Sequence, residues 1–168
     1  WNTAGITGVY GFMKKLWKLY HDESGFHVSD DKASPDSMKT LHKTIKKTRE
    51  DIENFSFNTS VSSFMIAVNE LIAQKCNNRE VLEPLAILVS PYAPHIAEEL
   101  WSLLGHKESI SEAAFPVFEE KYLIESSKTY PISFNGKMKF TLELPVDISK
   151  DELEKMVLEN EKVQEQLE

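Results

Sequence analysis

His95, Glu98 and Glu99 are the side chains in this sequence whose types and spacing come nearest to chemistry. One helical turn separates the histidine from the acids, so an imidazole and a carboxylate can face each other as a metal pair or an acid–base couple. A zinc-peptidase helix of the H-x-x-E-H kind needs a second histidine after its first acid, and that position is Glu99. The plainer reading is a helix start, in which His95 packs or caps and the two glutamates complement the positive helix end. No Cys-x-x-Cys, Gly-x-Ser-x-Gly, P-loop or glycine-rich dinucleotide turn occurs elsewhere. The expectation is no catalytic residue, and neither a cofactor-binding nor a metal-binding residue.

The remaining chemistry is electrostatic. Between positions 39 and 49 stand five cations and no acid: Lys39, Lys43, Lys46, Lys47 and Arg49. A helix advances about 100° per residue, so the four lysines lie within about one face, turned away from Met38, Leu41, Ile45 and Ile52. His42 and Arg49 flank that apolar stripe. Such a face is either solvated or follows a phosphate backbone; lysine, a point charge without a bidentate fork, suits phosphate tracking better than base reading. Lys137 and Lys139 alternate with Met138 and Phe140 and are expected on one sheet face beside Asn135-Gly136. There they either guard a strand edge or form a second, smaller basic patch. Trp17 and Trp101 sit among aliphatic residues at helical spacing and read as core, and Cys76 as a reduced thiol.

The elements that must position these groups follow from periodicity. Val9, Phe12, Met13, Leu16, Trp17 and Tyr20 predict a first helix over about 8–20. Residues 21–34 read as a loop ending at Pro35. A second helix is expected from Asp36 or Ser37, either serving as N-cap, with a stripe of Met38, Leu41, Ile45, Ile52 and Phe55. Thr59 or Ser60 caps a third helix to about Lys75, burying Val61, Phe64, Met65, Val68, Leu71 and Ile72. Residues 79–90 form a more uniformly apolar fourth helix. Pro94 opens a fifth, and Gly105 stops it. Residues 116–126 look like a chain leaving the bundle. Positions 130–134 and 137–144 alternate as strands around Asn135-Gly136, a strong hairpin signal. Ser149 and Glu152 form a capping box for a further helix.

Composition bounds the rest. The 168 residues carry a formal charge of −8, which by itself argues against nucleic acid. The charge is uneven, however: residues 147–168 hold eight acids against three lysines, while 39–49 is wholly basic. Local charge decides where an anion docks. One cysteine excludes an internal disulfide framework and suits a reducing, cytoplasmic setting. No run of eighteen apolar residues predicts a membrane span. The chain does not begin with Met and reads as part of something longer.

The order of segments resembles bacterial-type leucyl-tRNA synthetase, in its C-terminal part. Gly5-Ile6-Thr7-Gly8-Val9-Tyr10, with Phe12 and Trp17, is similar to the entry helix of that family's helical domain. Leu41-His42-Lys43-Thr44-Ile45-Lys46-Lys47, then Asp51-Ile52 and Phe57-Asn58-Thr59, resemble its second helix and turn. The run Pro91-Tyr92-Ala93-Pro94-His95-Ile96-Ala97-Glu98-Glu99-Leu100-Trp101 is similar to its fifth-segment signature, which related synthetases share. Asn135-Gly136-Lys137 and Glu161-Lys162-Val163-Gln164 resemble its small C-terminal domain. Met138-Lys139-Phe140-Thr141 departs from the usual Val-Arg continuation and lacks its arginine.

The resemblance implies a mainly α chain: a class I synthetase-type bundle of about five helices at 1–115, a linker at 116–126, and a truncated α+β hairpin-helix domain at 127–168. It implies the tRNA-binding portion of a leucine–tRNA ligase, positioning tRNA(Leu) for ATP-dependent leucylation by upstream catalytic and editing domains of the parent. ATP and Mg2+ belong to that parent, and this portion alone is expected to be non-catalytic. The RNA-binding candidates are Lys39, His42, Lys43, Lys46, Lys47, Arg49, Asn135, Lys137 and Lys139. The alternative is a docking module that packs on the catalytic body with little RNA contact.

Overall fold

The computed structural model describes residues 3–124, 127–134, 137–145 and 157. Among them, five α-helices build the first unit: α1 (Thr3–Tyr20), then a two-residue-per-strand hairpin of β1 (His21–Asp22) and β2 (Gly25–Phe26), then α2 (Pro35–Glu53), α3 (Phe57–Ala73), α4 (Arg79–Val89) and α5 (Pro94–Leu103). Two short 3-10 turns follow, Ile110–Glu112 and Glu120–Tyr122. The second unit contains β3 (Ser127–Phe134) and β4 (Lys137–Pro145), and the chain divides between Leu123 and Ile124.

Local chemistry sets the helix limits. The α2 N-cap is Ser34, ahead of the predicted Asp36 or Ser37: its Oγ accepts the Ser37 N–H at 3.1 Å, and Pro35 fills the first turn, where its missing N–H costs nothing. Pro94 does the same for α5. α1 begins at Thr3, before the predicted start at 8.

Three helices end alike. Beyond α2, the Ser56 N–H donates to the Asp51 carbonyl (2.7 Å) and the Phe55 N–H to that of Ile52 (3.1 Å). Beyond α3, Cys76 and Lys75 make the same two bonds to Leu71 and Ile72, and beyond α5, His106 and Gly105 make them to Trp101 and Ser102. This is the Schellman closure, which needs one residue in the left-handed region. Gly105 meets that need at φ +98°, but Phe55 and Lys75 occupy the same position at φ 55° and 54°. The geometry corrects one expectation: Phe55, placed by periodicity on the buried stripe, is 82% exposed. Ile52 is half-buried and Ile72 exposed, whereas Met38, Leu41, Ile45, Phe64, Val68 and Leu71 are core as predicted.

The core gathers Leu16, Tyr20, Phe64, Val68, Leu71, Val81, Leu82, Leu85, Leu88 and Leu100. The Tyr20 hydroxyl donates to the Leu82 carbonyl at 2.6 Å, which satisfies the one polar atom that ring carries inside; burial pushes its pKa far up. Trp17 departs from its expected core place. It lies at the surface with its ring stacked on His21 at 3.9 Å, closing the β1–β2 hairpin that the sequence read as loop.

In the second unit β3 and β4 pair antiparallel from Phe134↔Lys137 to Ser127↔Pro145. Ile132 pairs with Phe140 and Ser133 with Met138, so Lys139 has no partner in the ladder. The ladder register shifts there, between Ile132 and Ser133. Asn135, Gly136 and the helix expected after Ser149 lie outside the described residues.

Candidate nucleic-acid interface

α2 presents its cations on two flanks rather than one. His42, Lys46 and Arg49 follow one another at helical spacing, and residues 113–122 lie across them. The Tyr122 ring stacks on the His42 imidazole, centroids 4.4 Å apart and 17° from parallel, and Phe118 is tilted against the same imidazole at 6.2 Å. The Glu119 N–H donates to His42 Nδ1 at 3.1 Å. Lys46 Nζ sits 5.8 Å from the Phe118 centroid and the Arg49 guanidinium 5.3 Å from that of Phe115. His42 is thus a buried anchor, 4% exposed, and burial holds its pKa below the ordinary histidine value.

The other flank opens. Lys43 and Lys47 stand on one wall of a groove of about 250 Å3 between α2 and α3, facing Ser63, Ile66 and Glu70. Thr40 links the walls by donating to Glu70 Oε2 at 2.9 Å. Lys43 is exposed; Lys47 is exposed too but paired through Nζ with the buried carboxylate of Asp51. Lys39 is half-buried on the same helix. Sequence reading missed the α3 wall and the aromatic cover. The spacing of Phe115, Phe118 and Tyr122 matches that of Arg49, Lys46 and His42 run backwards, and that match was the available signal.

The His95–Glu98–Glu99 cluster resolves into a brace. The Glu98 carboxylate accepts the Ser109 hydroxyl and, at 3.1 Å, the Ile110 N–H, and these two bonds hold its pKa below the usual range. His95 and Glu99 are exposed. Around them Tyr92 packs edge-on against Phe64 at 5.2 Å, and Trp101 stacks on His106 at 3.6 Å. Among the described residues no three His, Cys, Asp or Glu side chains converge as metal ligands.

A helical bundle with a basic flank, a fifth helix opened by Pro94 and a following antiparallel hairpin matches a known architecture. Residues 37–157 match the family model described as the anticodon-binding domain of tRNA ligase, and the chain belongs to that family. More particularly, it is 70% identical over 167 residues to a leucine–tRNA ligase from Christiangramia forsetii and 65% identical over 167 residues to one from Flavobacterium johnsoniae. Each match covers 99% of this chain but only 17% and 18% of the relative, so the chain spans less than a fifth of the length of these curated relatives. In fold it is similar to a LeuRS of Agrobacterium radiobacter K84, solved as a ternary complex with tRNA and LeuAMS: TM-score 0.63 at 24% identity, covering 99% of this chain and 23% of that one.

Proposed function

We propose that the chain is the tRNA-contacting portion of a leucine–tRNA ligase and positions tRNA(Leu) for leucylation by catalytic and editing domains elsewhere in the parent protein. The observation that carries this reading is the open flank of α2, where exposed Lys43 and Lys47 border a groove. Lysine ammonium groups on a rigid helix pair suit phosphate oxygens, so the contact is backbone tracking rather than base readout. Holding the tRNA body here contributes remote binding energy that helps deliver the acceptor end to a distant site. Lys137 and Lys139 on β4 are proposed as a secondary contact. ATP and Mg2+ are assigned to the parent's catalytic domain, and the setting to the cytoplasm; no helix among the described residues is long and apolar enough to cross a membrane.

A second reading has its own observation. Ile6, Val9 and Tyr10 on the first turns of α1, and Phe55 and Phe57 at the α2–α3 turn, are exposed apolar groups. They favour docking on a protein body. The two readings separate in a titration of the chain with leucine tRNA and with a tRNA lacking a long variable arm, each at two salt concentrations. Salt-sensitive binding that is stronger for leucine tRNA supports tRNA positioning. Binding to neither leaves the docking role.

A further inference from the structure

We propose that residues 113–122 form a pH-sensitive latch on α2, closed while His42 is neutral and released when it is protonated, freeing Lys46 and Arg49 from the rings that rest against them. The geometry fixes the proton. Because Nδ1 accepts the Glu119 N–H at 3.1 Å, the neutral ring carries its hydrogen on Nε2. A second proton has only Nδ1 to occupy, and there it turns an acceptor into a donor facing another donor. The hydrogen bond is broken, and an ion is left in a position 4% exposed and stacked under Tyr122. Phe118 and Phe115 hang from the same segment, so its departure also removes the ring faces against which the exposed Lys46 and Arg49 rest.

The charges around the ring leave this penalty standing. On the latch itself Glu119 would welcome an imidazolium, but its carboxylate is paired with Lys121 at 2.5 Å, and Lys121 repels. From α4, Glu80 attracts, while its Oε2 also accepts the Ala33 N–H at 3.3 Å. From α2, Lys46 lies on the same flank. Glu70 of α3 is hydrogen-bonded to Thr40, about 160° around α2 from His42, and so faces the opposite groove. Burial is the largest influence and holds the folded pKa below the ordinary value. With a depressed folded pKa, the closed state is fully favoured above about pH 6.5 and loses that advantage as pH falls below it through the folded value.

The inference does not depend on RNA binding, and its test uses none. The chain is followed by NMR for the His42 ring and the Glu119 amide, and by hydrogen exchange for amides 118–122, corrected for intrinsic rates. Between about pH 7.5 and about pH 5.5, protection of those amides is expected to fall by up to about tenfold, with the ring and the Glu119 amide titrating together. In His42→Gln the side-chain oxygen accepts the same N–H without titrating, so protection becomes independent of pH. Unchanged protection in the wild type, or an equal fall in His42→Gln, overturns the latch. Should the variant not fold, the wild-type titration decides: a Glu119 amide that moves independently of the His42 ring overturns the proposal.

Discussion

The Asp51 carboxylate is buried at 3% exposure under the ammonium of Lys47, one helical turn before it, and also accepts the Ser60 hydroxyl at 3.3 Å. It therefore joins the end of α2 to the start of α3, where the positive helix end welcomes a negative charge. Burial alone would push this carboxyl up; Lys47, Thr59 and Ser60 together outweigh burial and hold it below its ordinary value.

The pH dependence follows with a definite sign. A carboxyl with a depressed folded pKa contributes stability above its unfolded value of about 3.9, and that contribution disappears as pH falls through the folded one. Asp51→Ala is expected to destabilise the first unit by about 1–3 kcal/mol at neutral pH, because the Ser60 hydroxyl and the Lys47 ammonium lose their partner. Urea unfolding at neutral and at strongly acidic pH should show the difference between wild type and variant shrinking in acid. A difference that does not change with pH would refute the assignment.

Phe55 and Lys75 occupy positions that their side chains do not favour. Both stand in the left-handed region to close a helix, and both are exposed. Phe55→Gly and Lys75→Gly are each expected to stabilise by about 0.5–1 kcal/mol, since glycine removes the Cβ strain. Phe55→Gly also gives up an edge contact with Phe57 at 6.2 Å, so Lys75→Gly is the cleaner case. Gly105→Ala should shift the denaturation midpoint the other way.

These two turns also show what the sequence could and could not convey. Helix existence was legible wherever apolar residues recur at helical spacing, and Pro35, Pro94 and Gly105 marked ends through fixed backbone chemistry. Phe55 was misplaced because periodicity assumes the helix continues, whereas the left-handed turn points the ring outward. The lysines of α2 were legible as a basic run but not as two flanks. Whether aromatic rings rest against Lys46 and Arg49 depends on residues 113–122, more than sixty positions away and without a repeating period to announce their path. The Pro91–Trp101 signature, the most recognisable stretch, proves architectural: Glu98 braces residues 109–110, and Trp101 seats His106.

Arg79 is a second long-range fastening. At the first turn of α4 its Nε donates to Asp30 at 2.5 Å and one terminal nitrogen donates to the Leu104 carbonyl at 2.7 Å, with Glu83 at 3.5 Å. The guanidinium fork thus joins the loop before α2 to the end of α5. Arg79→Met should cost about 1–3 kcal/mol, mainly through the unpaired Leu104 carbonyl. Arg79→Lys should recover only part of this, because an ammonium lacks the planar fork. Equal stability of the lysine variant and wild type would mean the fork geometry is immaterial.

The two flanks of α2 make unequal predictions for tRNA. Removing one lysine that neutralises a phosphate lowers the slope of log affinity against log salt by about one. Lys43 is exposed on the open groove, so Lys43→Gln should reduce the slope by nearly that amount. Lys47 shares its ammonium with Asp51 and should contribute less. Lys46 and Arg49 are exposed but rest against Phe118 and Phe115, and their glutamine variants should change the slope less than Lys43→Gln at neutral pH. Because the His42 ring is neutral and stacked under Tyr122, His42→Gln should leave the slope unaltered there. Slopes measured for the five single variants against wild type decide the matter. Equal reductions at Lys43, Lys46 and Arg49 would mean the tRNA meets α2 with the 113–122 segment already displaced, whereas a reduction confined to Lys43 and Lys47 places the phosphate track in the α2–α3 groove.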